Sequence, residues 1–103
     1  MTTPVIRVQT GVRLEARLLN VLKALAALKG MSLGDLVEGI VLHAFDGEQP
    51  FGAPTLAQIA ELKKIYGLEL SAADSHRLVE TERPAARAAA KRPAAKRRAG
   101  KVR

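Results

Sequence analysis

Residues 5–14 read Val5-Ile6-Arg7-Val8-Gln9-Thr10-Gly11-Val12-Arg13-Leu14. One parity holds Ile6, Val8, Thr10, Val12 and Leu14, and the other holds Arg7, Gln9, Gly11 and Arg13. Successive side chains on a strand point to opposite faces, so alternation with a period of two predicts a strand with one apolar face. Thr10 is a mild exception on the apolar side. Gly11 puts no side chain on its face and marks a bulge or a close approach by another backbone.

The period then becomes helical. From Glu15 to Lys29 the apolar residues Leu18, Val21, Leu22, Leu25 and Leu28 follow the three-and-four spacing of an amphipathic helix. Ala24, Ala26 and Ala27 favour helix, and Gly30 supplies the stop. Ser32, with Asp35 three residues later, opens a second helix in the manner of a capping box. Its apolar set is Leu33, Leu36, Val37, Ile40, Val41, Ala44 and Phe45, and it ends near Asp46-Gly47. The two helices meet at a turn of two or three residues.

Beyond Asp46 a Gly- and Pro-rich loop reaches Pro54. A third helix is expected from about Pro54 or Thr55 to Tyr66, with Leu56, Ile59, Leu62 and Tyr66 on one stripe and Gly67 as stop. Ser71 and Asp74 predict the start of a short fourth helix that ends before Pro84. Residues 83–103 are nearly all Ala, Arg, Lys and Pro, and Arg83-Pro-Ala-Ala-Arg87 recurs as Arg92-Pro-Ala-Ala-Lys96. A segment with so little apolar surface is expected to be disordered when free.

A lone strand with two helices gives too small a core for a monomer and leaves both strand edges unpaired. Two chains pairing their strands antiparallel would remove both problems. In its order of alternating strand ending at Leu14, helix with Leu18, Leu22 and Leu25-Ala26, Gly30-x-Ser32 turn and apolar second helix, the stretch 5–45 resembles the ribbon–helix–helix family. The Arc and MetJ repressors are DNA readers of that kind. The resemblance implies a mainly α fold, with one strand per chain paired in a homodimer, two core helices and one or two further helices. The corresponding organisation is 1–46 for dimerisation and DNA binding, 47–82 as a helical extension and 83–103 as a disordered basic tail.

The same resemblance implies double-stranded DNA as partner, with the ribbon in the major groove. The residues facing the bases would be Gln9, Gly11 and Arg13, with Arg7 further out on the same face. Arg suits guanine and Gln suits adenine, each through two hydrogen bonds. Ser32 and Leu33, at the start of the second helix, would offer backbone N–H groups to a phosphate. Gly11 reads nothing by side chain, which shifts the reading toward weak sequence specificity.

The chain has 103 residues, which makes one domain the prior, and a formal net charge of +7. The charge is divided. Residues 1–31 carry +4, residues 32–82 carry −6, and residues 83–103 carry +9. The tail cations are Arg83, Arg87, Lys91, Arg92, Lys96, Arg97, Arg98, Lys101 and Arg103, with no acid among them. Two separate basic regions predict an anionic partner met at two places, the tail adding phosphate affinity without reading sequence. The tail resembles bacterial histone-like tails. A transcriptional regulator and a nucleoid-associated protein are both consistent with this pattern.

The competing function class is a protein-interaction dimer, like the antitoxin-type members of the resembled family, that binds a protein partner through the acidic helices 54–82. An enzyme is not expected. With no Cys, disulfide scaffolds, zinc fingers and Cys nucleophiles are excluded. His43 and His76 lack a metal-ligand spacing, and Asp74-Ser75-His76 cannot converge as a triad on one helix. No metal or cofactor is expected. Neither a signal peptide nor a membrane span is read from the sequence, which predicts a cytoplasmic protein; the family resemblance implies the prokaryotic nucleoid as its place.

Overall fold

The computed structural model describes residues 2–81, and the tail expectations for 83–103 fall outside that range. The chain divides into two units at Leu70/Ser71. The described part is mainly helical, with three α-helices: α1 (Ala16–Lys29), α2 (Leu33–Phe45) and α3 (Ala53–Tyr66).

No strand is present among the described residues, which corrects the ribbon–helix–helix expectation at its first element. Residues 2–14 form an irregular, solvent-exposed arm. A strand exists only against a partner edge, and no other described segment of this chain offers one. Alternation fixes which side chains would share a face, not whether anything lies against that face. Ile6, Val8 and Val12 are accordingly 94%, 82% and 76% exposed.

The helices begin and end where the local chemistry dictates. Glu15 precedes α1 and its Oε1 accepts from the Leu18 N–H at 2.9 Å. At the other end Gly30 adopts φ 69°, the left-handed region that glycine enters without steric penalty. Its N–H donates to the Ala27 carbonyl and that of Met31 to Ala26, which satisfies carbonyls the helix leaves open. Ser32 Oγ accepts from the Asp35 N–H at 3.1 Å and starts α2. Helix α3 has Pro54 in its first turn, Lys63 and Lys64 in its last, and stops at Gly67 with φ 68°.

In the first unit α1 packs against both α2 and α3. Leu25, 2% exposed, sits at the centre with Ala26 and Leu36. Leu22, Ile40, Phe51, Ile59 and Leu62 close around them. Phe51, Ile59 and Leu62 come from the loop before α3 and from α3 itself. The third helix therefore supplies apolar surface that the first two lack alone. Lys29, at the end of α1, donates from Nζ to Thr55 Oγ1 in the first turn of α3, and Thr55 is buried.

In the second unit the expected fourth helix is a single 3-10 turn, Ala72–Asp74. The Ser71 N–H donates to Asp74 Oδ2 at 2.8 Å, and the Asp74 N–H donates to the Ser71 carbonyl. Short polar side chains that bond nearby backbone favour turns over continued helix. His76 then takes φ 66°, outside the helical region.

Candidate nucleic-acid interface

The arm carries the residues of interest into solvent. Arg7, Gln9, Gly11 and Arg13 are all exposed. Without a ladder they do not form one face of a strand, which removes the major-groove geometry expected for them. Their chemistry is retained: a guanidinium on either side of an amide, on a segment open to a large partner.

Arg7 is engaged within the chain. Its Nε donates to Glu38 Oε2 and its Nη2 to Glu38 Oε1, both at 2.8 Å. The two parallel bonds form the fork arrangement that guanidinium and carboxylate favour. The hydrogen bond from Arg7 holds the Glu38 carboxyl below its usual range. The side chains remain 66% and 44% exposed, so water screens the pair and its contribution to stability is small.

Gly11 has no neighbour within 4 Å of where a Cβ would stand, and its φ lies outside the left-handed region. Nothing inside the described chain requires glycine there. The bulge or close backbone approach expected from the sequence has no counterpart among the described residues.

At the start of α2, two backbone donors are occupied. The Asp35 N–H bonds Ser32 Oγ, and the Leu36 N–H bonds the Ser32 carbonyl at 3.0 Å. The first-turn N–H groups of Leu33 and Gly34 have no acceptor inside the helix. Asp35 places a carboxylate in the same turn, which complements the helix dipole and opposes an anionic ligand. Ser32 is thus a helix cap first. Leu33 is half-buried.

Arg17, which the charge census groups with the basic N-terminal region, is used structurally. Its Nε donates to Glu15 Oε2 at 2.9 Å and its Nη1 to the Gly67 carbonyl at 3.1 Å, linking α1 to the stop of α3. Burial alone would raise the Glu15 carboxyl. The Leu18 N–H and Arg17 outweigh it and hold the group below its usual value.

No family model, curated protein or solved structure matches the chain. The reading of the site therefore rests on its own residues. Among those described, no group of three or more His, Asp or Glu side chains is placed to hold a metal ion. His43 Nδ1 lies 2.7 Å from the Gly39 carbonyl, which can only accept, so the ring donates there within its own helix. Asp74 is turned toward the Ser71 backbone. No described helix is long and apolar enough to cross a membrane.

Sequence reasoning missed Glu38. It lies 31 positions from Arg7, and no local pattern links an acid inside an amphipathic helix to a base on a distant arm. Lys29 and Thr55 were missed for the same reason.

Proposed function

We propose that this chain is a double-stranded DNA-binding protein that acts as a pair of identical copies, as a regulator or nucleoid-associated protein. The exposed arm, with Arg7, Gln9 and Arg13, meets the duplex. The nine cations of residues 83–103 add affinity for phosphate without reading sequence. Leu33 and Ser32, at the start of α2, contribute at most a positioning contact, since Asp35 is beside them.

The observation that carries the reading is the division of charge. A +9 segment and a +4 segment flank a −6 segment in one short chain. Clustered cations of this kind condense on nucleic acid by releasing its counterions. The tail has no aromatic residue, so it offers no stacking platform for single-stranded bases. Pairing of copies is supported by the arm. Ile6, Val8 and Val12 stand in water, and covering each is worth roughly 1.5–3 kcal/mol.

The test is binding of the intact chain and of Arg13→Ala to random and genomic duplexes across a range of salt. Binding that weakens steeply with salt supports the reading. Preference for particular genomic fragments, lost in Arg13→Ala, would assign the arm a reading role. Absence of binding at low salt would leave the protein-interaction class in its place.

A further inference from the structure

We propose that Glu38 occupies the position of a DNA phosphate on Arg7, so that the arm is latched to α2 in the free protein and released when the duplex takes the guanidinium. The inference rests on the duplex-binding reading above and deepens it by naming the group that DNA must displace.

Carboxylate and phosphate present the same feature to a guanidinium: two oxygens spaced for two parallel N–H bonds. Glu38 satisfies Arg7 in that way, at 2.8 Å through both Nε and Nη2. Both side chains are reachable from solvent. The pair joins the arm, which has no regular structure, to a helix that does. A phosphate arriving at Arg7 comes well within a Debye length of the Glu38 carboxylate, so salt screens their repulsion only in part. Asp35, one turn earlier on α2, adds a second negative charge felt by Arg7. Phosphate and carboxylate therefore compete for one guanidinium, and the winner decides whether the arm stays on α2.

The exchange has a defined signature. Removing the charge of Glu38 frees Arg7 and removes the competitor together. Removing a distant acid changes net charge equally and leaves Arg7 held on Glu38. Glu61, on α3, is such an acid; it is exposed and pairs with Lys64.

The experiment uses the full chain and a labelled random-sequence duplex, read by fluorescence anisotropy. Four variants are compared with the parent: Glu38→Gln, Glu61→Gln, Arg7→Ala and the double variant Arg7→Ala/Glu38→Gln. A screened surface pair predicts that Glu38→Gln tightens binding by about two- to five-fold more than Glu61→Gln. In the Arg7→Ala background this excess should vanish, the mark of a direct coupling. Without DNA, trypsin should cleave after Arg7 faster in Glu38→Gln than in the parent or Glu61→Gln. Equal effects of Glu38→Gln and Glu61→Gln overturn the proposal, as does an excess that persists without Arg7 or an unchanged cleavage rate. A parent chain that binds no duplex overturns the DNA reading and this proposal together, whereas binding without the excess overturns only the latch.

Discussion

The Lys29 ammonium donates to the Thr55 hydroxyl, tying the last residue of α1 to the first turn of α3. Thr55 is the one buried polar residue among those described, and this bond accounts for its hydroxyl. Replacing Thr55 by Ala removes the acceptor and a buried methyl group. A loss of about 1–2 kcal/mol is expected in urea unfolding, in line with a single buried hydrogen bond. An unchanged midpoint would place the α1–α3 junction elsewhere.

Leu25 should be the most sensitive apolar position. It is 2% exposed and lies where α1, α2 and α3 converge. Leu25→Ala is expected to cost about 2–5 kcal/mol, a large part of the stability of a small domain. Leu28, one turn later and 59% exposed, should tolerate Ala within about 0.5 kcal/mol. Equal losses at the two positions would contradict the assignment of the core face.

The glycines divide by backbone rather than by space. Gly30 and Gly67 hold φ near 70° and stop α1 and α3. Alanine at either should cost about 1–2 kcal/mol. Gly39 lies inside α2 with nothing within 4 Å of a built Cβ and no positive φ. Gly39→Ala should stabilise by about 0.5–1 kcal/mol. Thermal melts of the three variants report both signs.

Acid should weaken the fold through Glu15. Its carboxyl titrates below its ordinary value, so its contribution is complete above that value and is lost as pH falls through the lower, folded one. Melting temperature measured from pH 6 down to pH 3 should drop less steeply in Glu15→Gln than in the parent. Identical slopes would mean that the cap at Leu18 and the pair with Arg17 carry no linkage.

The helices were legible because their signals are local. Leu and Ala at helical spacing, the stop at Gly30, the cap at Ser32 and the stop at Gly67 each act within one turn, and α1, α2 and α3 follow them within two residues. The strand over residues 5–14 was misread for a physical reason. Periodicity reports the sides of a segment, and a strand also needs a second edge, which no other segment supplies among the described residues. The burial on α3 was only partly visible. Ile59 and Leu62 point to the core as their stripe implies, yet Leu56 on the same stripe is 43% exposed and Thr55 is buried in its stead. The geometry of Arg7 with Glu38, and of Lys29 with Thr55, depends on tertiary contact between residues 31 and 26 positions apart. Nothing in the local sequence encodes either.

The central claim is that duplex DNA is met by the N-terminal arm and, separately, by the cations of residues 83–103. The measurement closest to that claim is the salt dependence of duplex affinity for the intact chain and for residues 1–82. Nine further phosphate contacts, at a slope of about −0.9 each, would steepen the plot of log affinity against log salt by up to about 8 for the intact chain. The account predicts that both proteins bind at low salt and that the intact chain shows the much steeper slope. Equal slopes, or an intact chain that binds no duplex at low salt, would contradict it.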